Sequence, residues 1–157
     1  MRKRRITTPQ KTTASADLPW LNLEELAEVE ISSEATGYPI EDALLPGRTS
    51  GWRAAESGKQ TIRLLFDRPQ KLHRIWLKFE ESRTERVQEY VLRCSQDRGQ
   101  SFQEIVRQQW NFNPQNASCE SENHEVDLSG VTVIELIIVP DISGSEAFAS
   151  LAKLRLA

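Results

Sequence analysis

The chain has 157 residues, 38% of them apolar, with 20 Lys and Arg against 23 Asp and Glu and a formal net charge of −3. That is one domain's worth of core, too apolar for wholesale disorder, and no apolar run is long enough to span a membrane. The net charge conceals a split: setting aside Arg2, Lys3, Arg4, Arg5 and Lys11 leaves residues 12–157 with 15 basic residues against all 23 acidic ones, a balance of −8, which argues against a generic phosphate-gripping face on the folded part.

Residues 1–16, rich in Thr, Ser and Lys, read as a disordered basic tail, and only this tail is composed for a polyanion such as nucleic acid. It lacks the apolar stretch of a secretory signal, so the expected location is cytoplasmic. Residues 17–27 predict a helical strap, capped by Asp17 or Asn22, that docks through Trp20, Leu23 and Leu26. From residue 28 to 157 the apolar period is two. Thr61–Phe66 puts Ile62, Leu64 and Phe66 on one face, Asp67–Lys71 supplies a turn around Pro69, and Leu72–Phe79 is the next strand, with Trp76 on its outer face under the strap. Val87–Cys94 alternates with Tyr90, Leu92 and Cys94 inward, and Ser95–Gln100 turns the chain. Further strands are predicted at Phe102–Trp110, Glu122–Leu128, Val131–Val139 and Ser150–Leu156, the run from Val131 being apolar on both faces as a central strand requires. Many strands, one short helix and Gly and Pro in the connections predict an all-β antiparallel sandwich or barrel.

Cys94 and Cys119 have no zinc-like spacing; free thiols are favoured and a bridge between them stays open. His73 and His124 lack an orienting partner at matching spacing, the neighbours Glu80 and Glu81 point to opposite faces, and no phosphate loop, zinc-protease helix or nucleophile elbow occurs. The expectation is a protein that is not an enzyme and holds no cofactor.

Several phrases carry a resemblance. Ser32-Ser33-Glu34, Tyr38–Leu44, Trp52 and a strand ending at Phe66–Gln70, followed by Tyr90–Phe102, Ile134–Pro140 and Ala149–Leu156, resemble in order the discoidin family, the coagulation factor V and VIII C-type domains. Trp52–Ile62 is also similar to the amino-terminal domain of the X-ray repair cross-complementing scaffold protein, within the same galactose-binding-like superfamily. The resemblance implies a jelly-roll β-sandwich acting as a binding module, with Trp52 in its core. It also implies a calcium loop after Ala43-Leu44, but the positions of the loop acids are Leu45 and Gly47 and that of the closing Glu is Lys153, so no metal is expected.

Modules of this kind bind through loops at one end, here 36–51, 80–86, 95–101, 111–123 and 140–149. The candidate ligand residues are Trp110, Asn111, Asn113 and Asn116, an aromatic followed by amides suited to a neutral sugar, with Arg48, Arg83, Arg86 and Asp141. A purely packing role for Trp110 and Phe112 beneath their loop is equally open. The functional expectation is an intracellular protein-interaction or scaffold domain; the alternative is a carbohydrate-binding module centred on Trp110.

Overall fold

The computed structural model describes residues 19–157, so the predicted basic tail lies outside the described residues. The strap is shorter than its period suggests. Asn22 holds the N-cap position of a single helical turn, α1 (Leu23–Leu26), through its backbone carbonyl and without a side-chain capping bond, after which the chain enters strand β1 (Ala27–Ile31). Trp20 precedes the helix and stacks on Trp76 at 6.2 Å between ring centroids, with Arg74 over the Trp20 ring, so the expected outward Trp76 and its cover are both present. A second one-turn helix, α2 (Glu41–Leu44), was not expected; it buries Ala43 and Leu44.

The remaining strands are β2 (Trp52–Ser57), β3 (Gln60–Glu80), β4 (Arg86–Ser95), β5 (Gln103–Phe112), β6 (Cys119–Val139), β7 (Phe148–Leu151) and β8 (Lys153–Leu156). The turn predicted at Asp67–Lys71 is instead a bulged corner within one 21-residue strand, and the two runs predicted before and after Ser129-Gly130 are likewise one strand, β6. The two long strands pair antiparallel along their length, with register shifts between Leu65 and Arg74 where Pro69 and the bulge interrupt the ladder. This bent ribbon serves two layers. Its Gln60–Phe66 arm pairs with β1 through Ile62–Phe66 and, through Val133–Val139, with β4, which carries the edge strand β5. Its Ile75–Lys78 arm pairs with β8.

The layers meet through alternating apolar residues. Ile62, Leu64, Phe66, Tyr90, Leu92 and Cys94 from one side and Ile75, Leu77 and Phe79 from the other are at most 2% exposed, and Phe79 and Tyr90 approach to 5.2 Å between rings. This burial is the main stabilising term, since each fully buried large apolar side chain contributes about 1.5–3 kcal/mol. On the opposite face of the central strand, Glu135 is 1% exposed and joins Arg63 at 2.6 Å to Arg93 at 2.7 Å across three strands in register. Both cysteines are free, Cys94 buried and Cys119 exposed.

A separate ribbon of β2 and β7 closes one side. Gly51, at φ 72°, starts it: a Cβ there would lie 2.8 Å from the Leu151 carbonyl oxygen, so only glycine permits the approach. Trp52 and Ala54 turn into the core, and alternation therefore sends Arg53 outward.

Candidate functional site

Three segments converge around Arg53. Ser33 and Ser32 donate to the buried Gln60 side chain at 2.7 and 2.6 Å, and the Trp52 indole donates to the Ser33 carbonyl, which fixes the chain leading to Tyr38. The Arg53 backbone accepts from Ala35 N–H at 2.9 Å and donates to Tyr38 C=O at 3.4 Å, and its guanidinium lies 5.1 Å from the Tyr38 ring centroid. On the other side, β7 alternates Phe148 and Ser150 outward with Ala149 and Leu151 inward, leaving Phe148 52% exposed. The third wall is the 80–86 turn. Arg53, Glu81, Arg83, Thr84, Glu146 and Phe148, with Ser145, line an open cavity of about 360 Å³. A larger hollow of about 590 Å³ runs beside β1, but its one arginine, Arg63, is committed to Glu135 and it contains no aromatic ring.

Three buried or self-satisfied side chains, Glu81, Arg86 and Asp141, hold the loops around the cavity. Glu81 accepts Arg86 Nε–H at 2.6 Å and the backbone N–H groups of Arg83 and Thr84; burial pushes its carboxyl up, but these bonds outweigh burial and hold it below the usual carboxylate range. Arg86 is 3% exposed, donates to Gln88 and to the Pro140 carbonyl, and covers the Phe112 ring at 4.7 Å. It is therefore a strut under the turn, which corrects the expectation that it faces a ligand. Asp141 folds its own loop. Its carboxylate accepts from the Ser145 hydroxyl at 2.6 Å and from the Ser143 N–H and hydroxyl, and these bonds, Ser145 foremost, hold it at about 2.

The other predicted residues do not join this cavity. Arg48 pairs with Asp42 at 3.2 Å. Asn113 closes the turn to β6, exchanging backbone bonds with Ala117 while its side chain accepts from Gln115 N–H; Asn111 and Asn116 are exposed on either side of it. Trp110 lies opposite Gln88 on the inward face of the edge strand, half-buried and packed against the core, with Nε1 fully buried and without a partner. Phe112 is 0% exposed, so the packing alternative describes this pair. Of the predicted ligand residues, Arg83 lines the cavity and Asp141 shapes its loop. Arg53, Phe148 and Tyr38 were missed, although period-two alternation around Trp52 and Ala149 already turns Arg53 and Phe148 outward.

Trp110 belongs to a polar cluster between the layers. Gln88 Nε2, Trp110 Nε1 and both oxygens of Glu120 are buried and make no hydrogen bond of normal geometry; burial first, then the neighbouring Glu122, push the Glu120 carboxyl up to about 7 against the smaller opposing pull of Gln88 and Arg86. His124 Nε2 and the Tyr90 hydroxyl are 2.8 Å apart, and burial pushes the His124 pKa down.

The implied calcium loop does not fit a metal. The carbonyl oxygens of Ala43 and Leu45 accept from the guanidinium of Arg155, 8% exposed, at 2.8 and 3.1 Å, and the loop's Asp42 is held by Arg48. A fixed organic cation thus satisfies carbonyls there. Among the described residues no group of His, Cys, Asp and Glu is placed to hold a metal ion, and no helix is long and apolar enough to cross a membrane.

Compared by sequence, the chain matches no family model and no curated protein. Compared by structure, it is similar to a family 32 carbohydrate-binding module of NanJ from Clostridium perfringens in complex with galactose, with a TM-score of 0.63 and 14% identity, covering 87% of this chain and 96% of that one. It is similar to a pectin-binding carbohydrate-binding module at a TM-score of 0.62 and 14% identity, covering 84% and 90%. The family 32 module of AlyQ in complex with 4,5-unsaturated mannuronic acid gives 0.61 and 14%, covering 85% and 95%. These likenesses define the fold: the chain is a galactose-binding-like jelly-roll sandwich.

Proposed function

We propose that the chain is a non-catalytic carbohydrate-binding module that holds a saccharide in the cavity between the 80–86 turn and β7. The observation that carries this reading is the exposed Phe148 ring lining the same cavity as Arg53, whose guanidinium lies over the Tyr38 ring. An aromatic face packs against the apolar C–H face of a pyranose, while guanidinium and hydroxyl groups take its ring oxygens. The fold similarity to carbohydrate-binding modules supports it. So does the cavity's chemistry: Glu81 is held ionised by Arg86 and is unsuited to proton donation, and neither histidine lines the cavity. Calorimetric titration with mono- and oligosaccharides tests the reading, with Phe148→Ala expected to weaken binding about tenfold or more. A panel in which no saccharide binds, or in which Phe148→Ala binds as well as the parent, overturns it.

A second reading, a protein-interaction module, is favoured by one observation. The exposed large apolar side chains, Tyr38, Ile142 and Phe148, lie on the segments that build this cavity and its loop. Exposed apolar and aromatic groups are the usual anchors of interfaces. A stoichiometric complex abolished by Phe148→Ala or Ile142→Ala, with no saccharide binding, would establish it in place of the first.

A further inference from the structure

The geometry points to a saccharide bearing a carboxylate, a uronate, as the ligand of this cavity; the inference rests on the carbohydrate reading and narrows it. It comes from the partners of the arginines. Arg48, Arg63, Arg86, Arg93 and Arg107 are each ion-paired to a carboxylate, and Arg98 and Arg155 donate to backbone carbonyls. Among the described residues, the guanidinia of Arg53, Arg68 and Arg83 have no hydrogen bond or ion pair, and Arg53 and Arg83 line the same cavity.

One unpaired surface guanidinium is ordinary, because water satisfies it. Two that line one hollow of about 360 Å³ concentrate positive charge there, and an anion placed in it is attracted by both. A guanidinium presents its N–H groups as a planar fork that matches a carboxylate bidentately, a match a sugar hydroxyl does not make. Arg53 is already restrained by the Tyr38 ring and by backbone bonds on both sides, so less side-chain entropy is lost on binding. Glu81 does not cancel the positive charge, because its carboxylate is turned to Arg86. The opposing charge is Glu146, which leaves the cavity with one excess positive charge on a body of net −8. Glu146 is suited to accept from sugar hydroxyls, and it repels a carboxylate placed too near it.

Calorimetry with trigalacturonate and with the neutral galacto-trisaccharide at low and raised salt tests the inference. Trigalacturonate is expected to bind about tenfold or more tighter, with the advantage shrinking as salt screens the guanidinia. Arg53→Gln and Arg83→Gln should each remove most of that advantage, Arg83→Lys should restore part of it, and Arg68→Gln, away from the cavity, should change nothing. Glu146→Gln should tighten the uronate without tightening the neutral sugar. Equal binding of the two sugars, unaffected by the arginine variants, overturns the uronate assignment and leaves the carbohydrate reading standing. Absence of binding by either sugar, or by any other saccharide, overturns both.

Discussion

The end cavity and the space between the sheets both hold polar groups without protein partners, but one set faces water and the other does not. Arg53 and Arg83 line an open hollow, where water can satisfy them. Gln88, Trp110 and Glu120 are enclosed near the edge strand, and Glu120 responds to its enclosure by holding its proton up to about pH 7. The same deficiency leaves groups open to a ligand at the rim, as proposed above, and is a stability cost inside. Glu135 supplies the control: equally buried, it is satisfied by two arginines.

Replacing Glu135 with Ala should have the largest effect, a loss of about 3 kcal/mol in denaturant unfolding, at the lower end for a buried pair. The moderation has a cause: Arg63 and Arg93 keep 44% and 35% of their side chains exposed and rehydrate when left alone. An unchanged midpoint would mean that the bridge contributes nothing and that paired and unpaired burial do not differ here.

Glu120→Gln should act in the opposite direction and only above a certain pH. The carboxyl titrates at about 7 in the fold against 4.5 in the open chain, so folding disfavours its charged form. Its penalty is absent below pH 4.5, grows as pH rises, and is complete above 7, where it reaches about 3 kcal/mol. Unfolding curves of parent and variant should coincide at pH 4 and separate by pH 8, with the variant more stable; a constant difference across that range would refute the buried-carboxylate account.

Trp110→Phe removes the unpartnered indole N–H together with some packing, and the two changes offset each other to within about 1 kcal/mol. Saccharide affinity should not move, and a tenfold loss would return the site to Trp110. The smallest effect on stability is expected for Arg83→Gln, within about 0.5 kcal/mol, because an exposed unpaired group contributes little to folding. A large loss in its thermal midpoint would show that the arginine has a structural task.

Much of the frame is legible in the sequence. Alternation places Ile62, Leu64, Phe66, Tyr90, Leu92 and Cys94 inward, and all six are buried. The Asp67–Lys71 corner is harder to read, because Pro69 and its charged neighbours look the same in a bulge as in a turn. The single turn of α2 is too short to leave a period. Of the end loops named from the sequence, 80–86 and 140–149 contribute lining to the proposed cavity, Arg83 among it, whereas Trp110 lies half-buried against the core. An aromatic followed by amides looks like a sugar platform, but an edge strand has an inward face too, and strand register alone decides which way the ring points. Phe148 is less conspicuous in the sequence because it stands in a four-residue strand; its exposure follows from Ala149 and Leu151 facing the core. The arginine strut Arg86 and the carbonyl-binding Arg155 depend on partners 54 and 112 residues away and leave no local signal.

The most direct measurement is an amide and arginine side-chain NMR titration with trigalacturonate on the full chain. The account predicts shifts confined to Tyr38, Arg53, Arg83, Thr84 and Ser145–Phe148, with the Arg53 and Arg83 Nε–H resonances moving most. Shifts centred on Trp110–Asn116, or none at saturating sugar, would contradict it.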